Sequence, residues 1–417
     1  MKTDVLVIGG GPAGIASAIS ASKTGAKTTI VEREYRLGGI LNQCIHNGFG
    51  LHYFGVELTG PEYAQRFIKM LEDCENVTIK CNSSVTDISQ DNNGEYNVQV
   101  TSPNGFEIIK AKSIILSMGC RERPAGAINL VGDRCAGIFS AGCAQSIVNL
   151  QGKMIGKRIV ILGSGDIGLI MARRLTCEGA KVLGVYEIMD HCGGLARNVT
   201  QCLLDFDIPL HLSTTVTKVL GKKRVRGVTV APVEMGKPIY EKEELIKCDT
   251  LLLSVGLIPE TELLDKFNLE PLPVTSSFAV DEYLQTSKDG IFVAGNVLHV
   301  NDLVDNVSHE GERAGHYAGL FAQGKLTRQN AIEIKHDEHI RYTSPKYIYP
   351  GGEGEVPISF RVDKEYRKVS ILVKSGNEII ARKPAPVVTA GELQILNVEK
   401  SKVKSDLNIV IESMIKE

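Results

Sequence analysis

The chain opens on an unbroken apolar run, "DVLVI", stops at three glycines, continues as a helical pattern and returns to a second apolar run, "TTIV". Continuous apolar runs of this length read as strands buried on both faces, so strand, glycine turn, helix and strand are predicted in that order. The same succession recurs at "KRIVILGSGDIGLIMARRLTCEGAKVLGVYE". Two further apolar strands, "SIILSMGCRERP" and "CDTLLLSVGLIPETELL", each end in a glycine-containing crossover. Paired strands of that kind lead into and out of an inserted domain. The chain then gives "TSKDGIFVAGNVLHVNDLV" and the helical pattern "VSHEGERAGHYAGLFAQG". From about Lys335 it changes to short alternating strands, "KYIYP", "VPISFRV", "KVSILVK", "EIIARK" and "ELQILNV", with turn signals between them.

Each glycine turn has a mechanical reading. Gly9, Gly11 and Gly14 stand in G-x-G-x-x-G register, with Glu32 closing the second strand. The first glycine permits the tight turn, the second lets backbone approach a pyrophosphate, and the third lets helix pack on strand. The acid accepts from ribose hydroxyls. Gly163, Gly165, Gly168 and Glu187 repeat the set. An acid at Glu187 bonds a free 2'-hydroxyl and repels a 2'-phosphate, which favours NAD(H) over NADP(H). An adenine nucleotide that never exchanges hydride, or no ligand, stays open for this second fold. The fold class is therefore α/β, with two Rossmann-like dinucleotide-binding folds. A discontinuous three-layer ββα fold occupies 1–120 and 250–330, an inserted fold 121–249, and a small β-sandwich-like domain 331–417.

Composition narrows the function classes. With 417 residues and 43% hydrophobic positions, the chain is long enough for two to three domains. A net charge of -2 gives no electrostatic case for a nucleic-acid or anionic-membrane partner. The first strand begins within a few residues of Met1, and no apolar run approaches the roughly 18 residues of a membrane span, so a cytoplasmic location is expected. Ten scattered cysteines, with no C-x-x-C among them, are expected to be reduced thiols.

The stretches "GGGPAG", "LGGIL", "ELTGPEYAQRF", "SMGCRERP" and "GIFVAGN" resemble the pyridine-nucleotide-disulfide oxidoreductases over about residues 1–325, in the layout of the low-molecular-weight thioredoxin reductases. The resemblance implies FAD on the outer fold and NAD(P)H on the inserted one. It assigns Gly9, Gly11, Pro12, Ala13, Gly14, Glu32, Gly38, Gly39, Gly119, Gly295 and Asn296 to FAD. Gly163, Gly165, Asp166, Ile167, Gly168, Glu187 and Gly256 go to NAD. Asn296 stands where that family usually has Asp.

The redox pair departs further. Thioredoxin reductases carry C-x-x-C just before the second glycine turn, where "GIFSAGCAQSIV" offers Cys143 alone. Glutathione-reductase-like members carry C-x-x-x-x-C after the first "GG", where "GGILNQCIHNG" offers Cys44 alone. "FSAGCAQ" and "GIFVAGNVLHVNDLVD" resemble a dithiol-free branch containing opine oxidase, hydrogen cyanide synthase and dye-linked proline dehydrogenase α-type subunits, with flavoproteins associated with glycerol-3-phosphate dehydrogenases. That branch implies hydride transfer between NAD(H) and FAD, and electrons exchanged with an external acceptor or a partner flavoprotein. Two alternatives remain: a relay or scaffold subunit with a structural adenine nucleotide, and a peroxide or disulfide reductase using Cys44 with His46 nearby. Arg121 and Arg123 suit either phosphate binding or ion pairing. His299, Asp302 and Asp305 have the composition of a metal site but lack a convincing fourth ligand, so no metal is expected. Docking, oligomerisation or simple capping suits the C-terminal strands.

Overall fold

The computed structural model describes residues 1–414. The chain divides into two compact units, one of Met1–Cys120 with the chain from Pro259 onward, the other of Arg121–Ile258.

In the first unit a seven-stranded sheet is built around the strand Lys2–Ile8, which pairs in parallel with Thr28–Val31 on one side and with Gly105–Leu116 on the other. The long strand Gly105–Leu116 divides its far edge. Its first half pairs antiparallel with Tyr96–Ser102, and Ile114–Leu116 pair in parallel with Ile291–Val293. Val5, Leu6 and Val7 are fully buried, which is why this strand is apolar without alternation.

The helices Pro12–Lys23 and Val304–Ala322 lie against each other through a glycine stripe at every fourth position of the second. A Cβ on Gly311 would stand 2.3 Å from the Ala13 carbonyl oxygen, and one on Gly315 2.1 Å from that of Ser17. Only hydrogen at these positions allows the backbones so close. The helix Gly60–Glu72 starts with a capping box, Thr59 with Glu62, and buries Tyr63, Ala64, Phe67 and Leu71.

The C-terminal strands form a five-stranded and a three-stranded sheet that share an apolar core including Ile358, Phe360, Ile371, Val373, Leu396, Val398 and Ile409. Three strands here escape the sequence pattern: Ile332–His336, Ile340–Ser344 and Leu407–Ser413. The last is the centre of the larger sheet, pairing with Ile332–His336 and with Tyr366–Ser375. Positions 415–417 of the sequence-assigned domain lie outside the described residues.

The second unit repeats the design on a smaller scale. Ile138–Ser140, Thr250–Leu253, Arg158–Leu162, Lys181–Tyr186 and Leu210–His211 form a parallel sheet in that spatial order. The strand Thr250–Leu253 is hydrogen-bonded between Ile138–Ser140 and Arg158–Leu162, so this sheet extends past the sequence boundary at 249/250. Among the described residues no helix is long and apolar enough to cross a membrane.

Candidate functional site

At the carboxyl end of the first strand, Gly9 takes a φ of +103°, and a Cβ there would meet the Ser117 carbonyl oxygen at 2.6 Å. Gly14 is closer still: its Cβ would fall 1.9 Å from the Gly9 carbonyl oxygen. Ser117 supports the turn from beneath, its hydroxyl donating to the carbonyls of Ile8 and Gly9 at 2.9 and 3.0 Å.

Gly11 differs. The nearest atom to a Cβ built on it is the Gly39 Cα at 4.0 Å, so the space above it is open. The helix beginning at Pro12 has no side-chain cap and no acid in its first turn, which leaves its N-terminal amides turned outward without an anionic partner. Gly38 and Gly39 complete the cradle, with the Gly38 amide donating to the Gly10 carbonyl at 2.8 Å. Glu32, 6% exposed, accepts from the amides of Gly10 and Glu34 at 2.5 and 2.7 Å, and each oxygen keeps a lone pair for a further donor. An open glycine cradle, an uncapped helix terminus and a fixed carboxylate fit the diphosphate and ribose of a dinucleotide.

The helix Val304–Ala322 brings Gly295 and Asn296 into the same unit. Gly295, at φ +75°, packs so that a Cβ would stand 2.9 Å from the Ala13 side chain, and its amide donates to Glu310 at 2.9 Å. The Asn296 side-chain oxygen Oδ1 accepts from the Asn301 backbone amide at 3.0 Å. That bond settles its orientation and leaves the NH2 group to donate toward a ligand. Gly119, at φ +73°, has open space where a Cβ would stand, and its carbonyl accepts from Glu260.

Cys44 is half-buried behind the Gly38–Gln43 turn, where its thiol donates to the Ile40 carbonyl at 3.3 Å. Burial pushes its pKa up to about 12. His46 contacts the Asn47 carbonyl at 2.9 Å and stacks tilted on Phe49. His299, Asp302 and Asp305 go to different partners: Glu310, Arg361 and the His52 amide respectively.

In the second unit Gly163 takes φ +91°, with a Cβ position 2.1 Å from the Ser254 carbonyl oxygen. Ser254 plays the part of Ser117, its hydroxyl accepting from the Gly168 amide at 3.2 Å. Glu187, 8% exposed, accepts from the Ser164 amide and hydroxyl at 2.8 and 2.6 Å and from the Met189 amide at 3.0 Å.

A loop then folds back over the glycine turn. The Gly193 amide donates to the Ser164 hydroxyl at 2.8 Å, and Asp166 accepts from the Leu195 amide and Asn198 at 2.8 and 2.6 Å. Asp166, assigned from sequence to the nucleotide, thus has one oxygen tied to this loop. Ile167 packs on the core, and the Gly256 carbonyl accepts from the Arg123 amide at 3.0 Å. Glu122 accepts from the amides of Gly142 and Cys143 at 2.6 and 3.2 Å. Burial and then the Glu122 carboxylate hold the Cys143 thiol above the ordinary range.

Ser117, Ser254 and the Gly193–Gly194 loop were not singled out from sequence, yet each left a signal. "LS-x-G" closes both crossover strands, and Gly193–Gly194 follow Glu187 at the same spacing at which Gly38–Gly39 follow Glu32.

Residues 3–311 match the family model for pyridine nucleotide-disulphide oxidoreductases. The hydrogen cyanide synthase subunit HcnB of Pseudomonas protegens is 27% identical over 356 residues, covering 80% of this chain and 72% of that protein. The mitochondrial dihydrolipoyl dehydrogenase of Caenorhabditis elegans is 28% identical over 339 residues, covering 74% of this chain and 66% of that protein. Among solved structures, T. acidophilum thioredoxin reductase superposes with a TM-score of 0.64 at 23% identity, over 78% of this chain and 99% of its own. L-proline dehydrogenase from P. horikoshii gives 0.55 at 21%, over 79% and 57%. These two likenesses concern the fold. The match over residues 3–311, on two glycine-turn folds of this geometry, places the chain in the pyridine nucleotide-disulphide oxidoreductase family, as an FAD-dependent oxidoreductase.

Proposed function

We propose that the chain transfers a hydride between NAD(H) and FAD and exchanges the electrons with an external acceptor or a partner flavoprotein, without an active-site dithiol. The carrying observation is Cys44, the lone cysteine after the first "GG", whose thiol burial pushes up to about 12. A thiol so raised is protonated at neutral pH, which disfavours it as a nucleophile or charge-transfer partner. Burial, and then the Glu122 carboxylate, shifts Cys143 the same way. HcnB, by its name, is one subunit of a larger synthase, which agrees with a partner for this chain.

A bound flavin supplies the hydride and electron chemistry. The protein's part is placement. The uncapped helix terminus at Pro12 opposes diphosphate charge, Glu32 receives ribose hydroxyls, and the Asn296 amide donates toward the ribityl chain. Glu187 receives the second ribose and repels a 2'-phosphate, which supports NAD(H) over NADP(H).

The purified protein is expected to be yellow and to bleach anaerobically with NADH at two electrons per flavin, with Cys44→Ser unchanged within a few-fold. An uptake of four that falls to two in the serine variant would make Cys44 the redox centre. Protein that is colourless and cannot be reconstituted with FAD removes the proposal altogether.

A second reading has its own observation. The Cys192–Leu195 loop, tied to Ser164 and Asp166, folds over the second glycine turn and suits a nucleotide that stays bound. On this reading the chain is a relay or scaffold subunit of an amine, opine or glycerol-3-phosphate dehydrogenase complex, holding a structural adenine nucleotide. Mass spectrometry of small molecules released on denaturation separates the two. A co-purifying adenine nucleotide with no NADH bleaching selects the relay, and its absence together with fast bleaching selects the dehydrogenase.

A further inference from the structure

The loop that follows Gly295 is held from two directions. From its own fold, Glu310 accepts from the Gly295 amide at 2.9 Å and contacts His299 Nε2 at 2.7 Å. From the C-terminal strands come four more ties. Arg361 donates to the Val300 carbonyl at 3.0 Å and to Asp302 at 2.5 Å. The Leu393 amide donates to the other Asp302 oxygen at 2.6 Å, and the Tyr342 hydroxyl lies 3.4 Å from His299 Nδ1. A second Arg361 nitrogen donates to the Gly391 carbonyl, so one guanidinium joins the loop to the segment carrying Leu393.

Tyr342 and Arg361 are directly opposed in the antiparallel pair Ile340–Ser344 with Glu355–Val362, across a register shift between Ile340 and Tyr342. Opposed residues project from the same face, and the bulge beside Tyr342 is what brings the two into line. His299 is 1% exposed and Tyr342 4%, and the side chains of Arg361 and Asp302 are each 14% exposed. Polar groups this buried hold their geometry because losing a partner leaves them unsatisfied.

We infer that the C-terminal strands set the position of the flavin-facing loop, with Arg361 and Tyr342 as positioning residues acting through Asp302 and His299. The inference rests on the proposed placement of FAD against Gly295 and Asn296. Asn301, whose amide orients Asn296, lies between the two residues that Arg361 grips, Val300 and Asp302. Releasing that grip loosens the chain on both sides of the Asn301 backbone N–H that orients the Asn296 side chain, leaving Asn301 held by its own side-chain contacts with the His299 carbonyl and Glu310. The C-terminal strands, which lie beyond the family match at residues 3–311, thereby become part of the cofactor site's support.

Apoprotein of the full chain is titrated with FAD, and the visible spectrum and midpoint potential of the reconstituted flavin are recorded. Arg361→Met is expected to weaken FAD binding roughly tenfold or more and to shift the potential, and Tyr342→Phe to do so less. Arg361→Lys restores the charge opposite Asp302 and is expected to recover part of the loss. Lys400→Met is the control. It breaks a comparably buried pair of the C-terminal strands with Glu282, at 2.5 Å, away from this loop. It is expected to lower thermal stability while leaving FAD affinity and potential unchanged. If Arg361→Met and Lys400→Met change stability alike and neither alters affinity, spectrum or potential, the strands are a passive cap and the inference is overturned. Should Arg361→Met fail to fold, unchanged affinity and potential in both Arg361→Lys and Tyr342→Phe overturn it equally. Parent protein that binds no FAD instead refutes the underlying placement of the cofactor.

Discussion

Gly11→Ala is expected to leave the fold intact and to abolish tight FAD binding. Gly11 has φ −78° and ψ −170°, backbone that alanine adopts freely, and its added methyl would meet nothing nearer than 4.0 Å. Alanine in place of glycine at a helix N-cap costs about 1 kcal/mol, which moves the midpoint of a unit this size by only a few degrees. The melting temperature should therefore stay within a few degrees of the parent. The methyl instead occupies the open space above the turn, where the diphosphate approaches backbone. A loss of about 100-fold in FAD affinity, or about 2.7 kcal/mol, is expected on titration of the apoprotein. Gly14→Ala makes the contrast. Its methyl would lie 1.9 Å from the Gly9 carbonyl oxygen and 2.7 Å from the Ser117 hydroxyl, so backbone must move. That variant should lose on the order of 3 kcal/mol of stability with or without FAD. Retention of parent-like FAD affinity in a well-folded Gly11→Ala protein would show that the diphosphate does not pass over this turn.

The difference between these glycines marks what was legible in the chain. Gly9, Gly11, Gly14 and Glu32 belong to one local strand–turn–helix–strand unit, so their spacing alone announces the turn, and the apolar runs announce strands covered on both faces. Ser117 supports Gly9 from across the sheet, and Glu310 reaches Gly295 from the next helix, so their roles exist only once the strands are paired. The orientation of Asn296 depends on the Asn301 amide, a fold-back within an irregular loop with no periodicity to read. Cys44 shows the same limit chemically. Its position after "GG" was visible, but the burial that raises its pKa comes from packing, including the approach of the Gly60 backbone, whose amide donates to the Cys44 carbonyl. In the C-terminal region the sequence marked strands without their partners. Which residues meet the loop after Gly295 follows from register, since a shift of one residue would turn Arg361 to the opposite face.

Replacement of Glu187 is expected to impair the second nucleotide site in two separable ways. From sequence, the acid was expected only to read a ribose. In the structure it also accepts from the Ser164 amide and hydroxyl and from Met189, while the Ser164 hydroxyl receives the Gly193 amide. Glu187→Ala removes all three acceptor contacts at a position 8% exposed, so the turn and its covering loop loosen together. The expected cost is about 2 kcal/mol, or roughly 30-fold in kcat/KM for NADH. Glu187→Gln keeps the volume and one carbonyl oxygen while removing the charge. It should relax discrimination against NADPH with a smaller loss in NADH use, because repulsion of a 2'-phosphate depends on charge rather than shape. FAD content should be unchanged in both variants, since Glu32 and its cradle lie in the other unit. Stopped-flow reduction of the flavin by NADH and by NADPH measures both effects. If both variants keep the parent's ratio of NADH to NADPH efficiency, Glu187 serves only to hold Ser164, and the preference for NAD(H) has no basis in this residue.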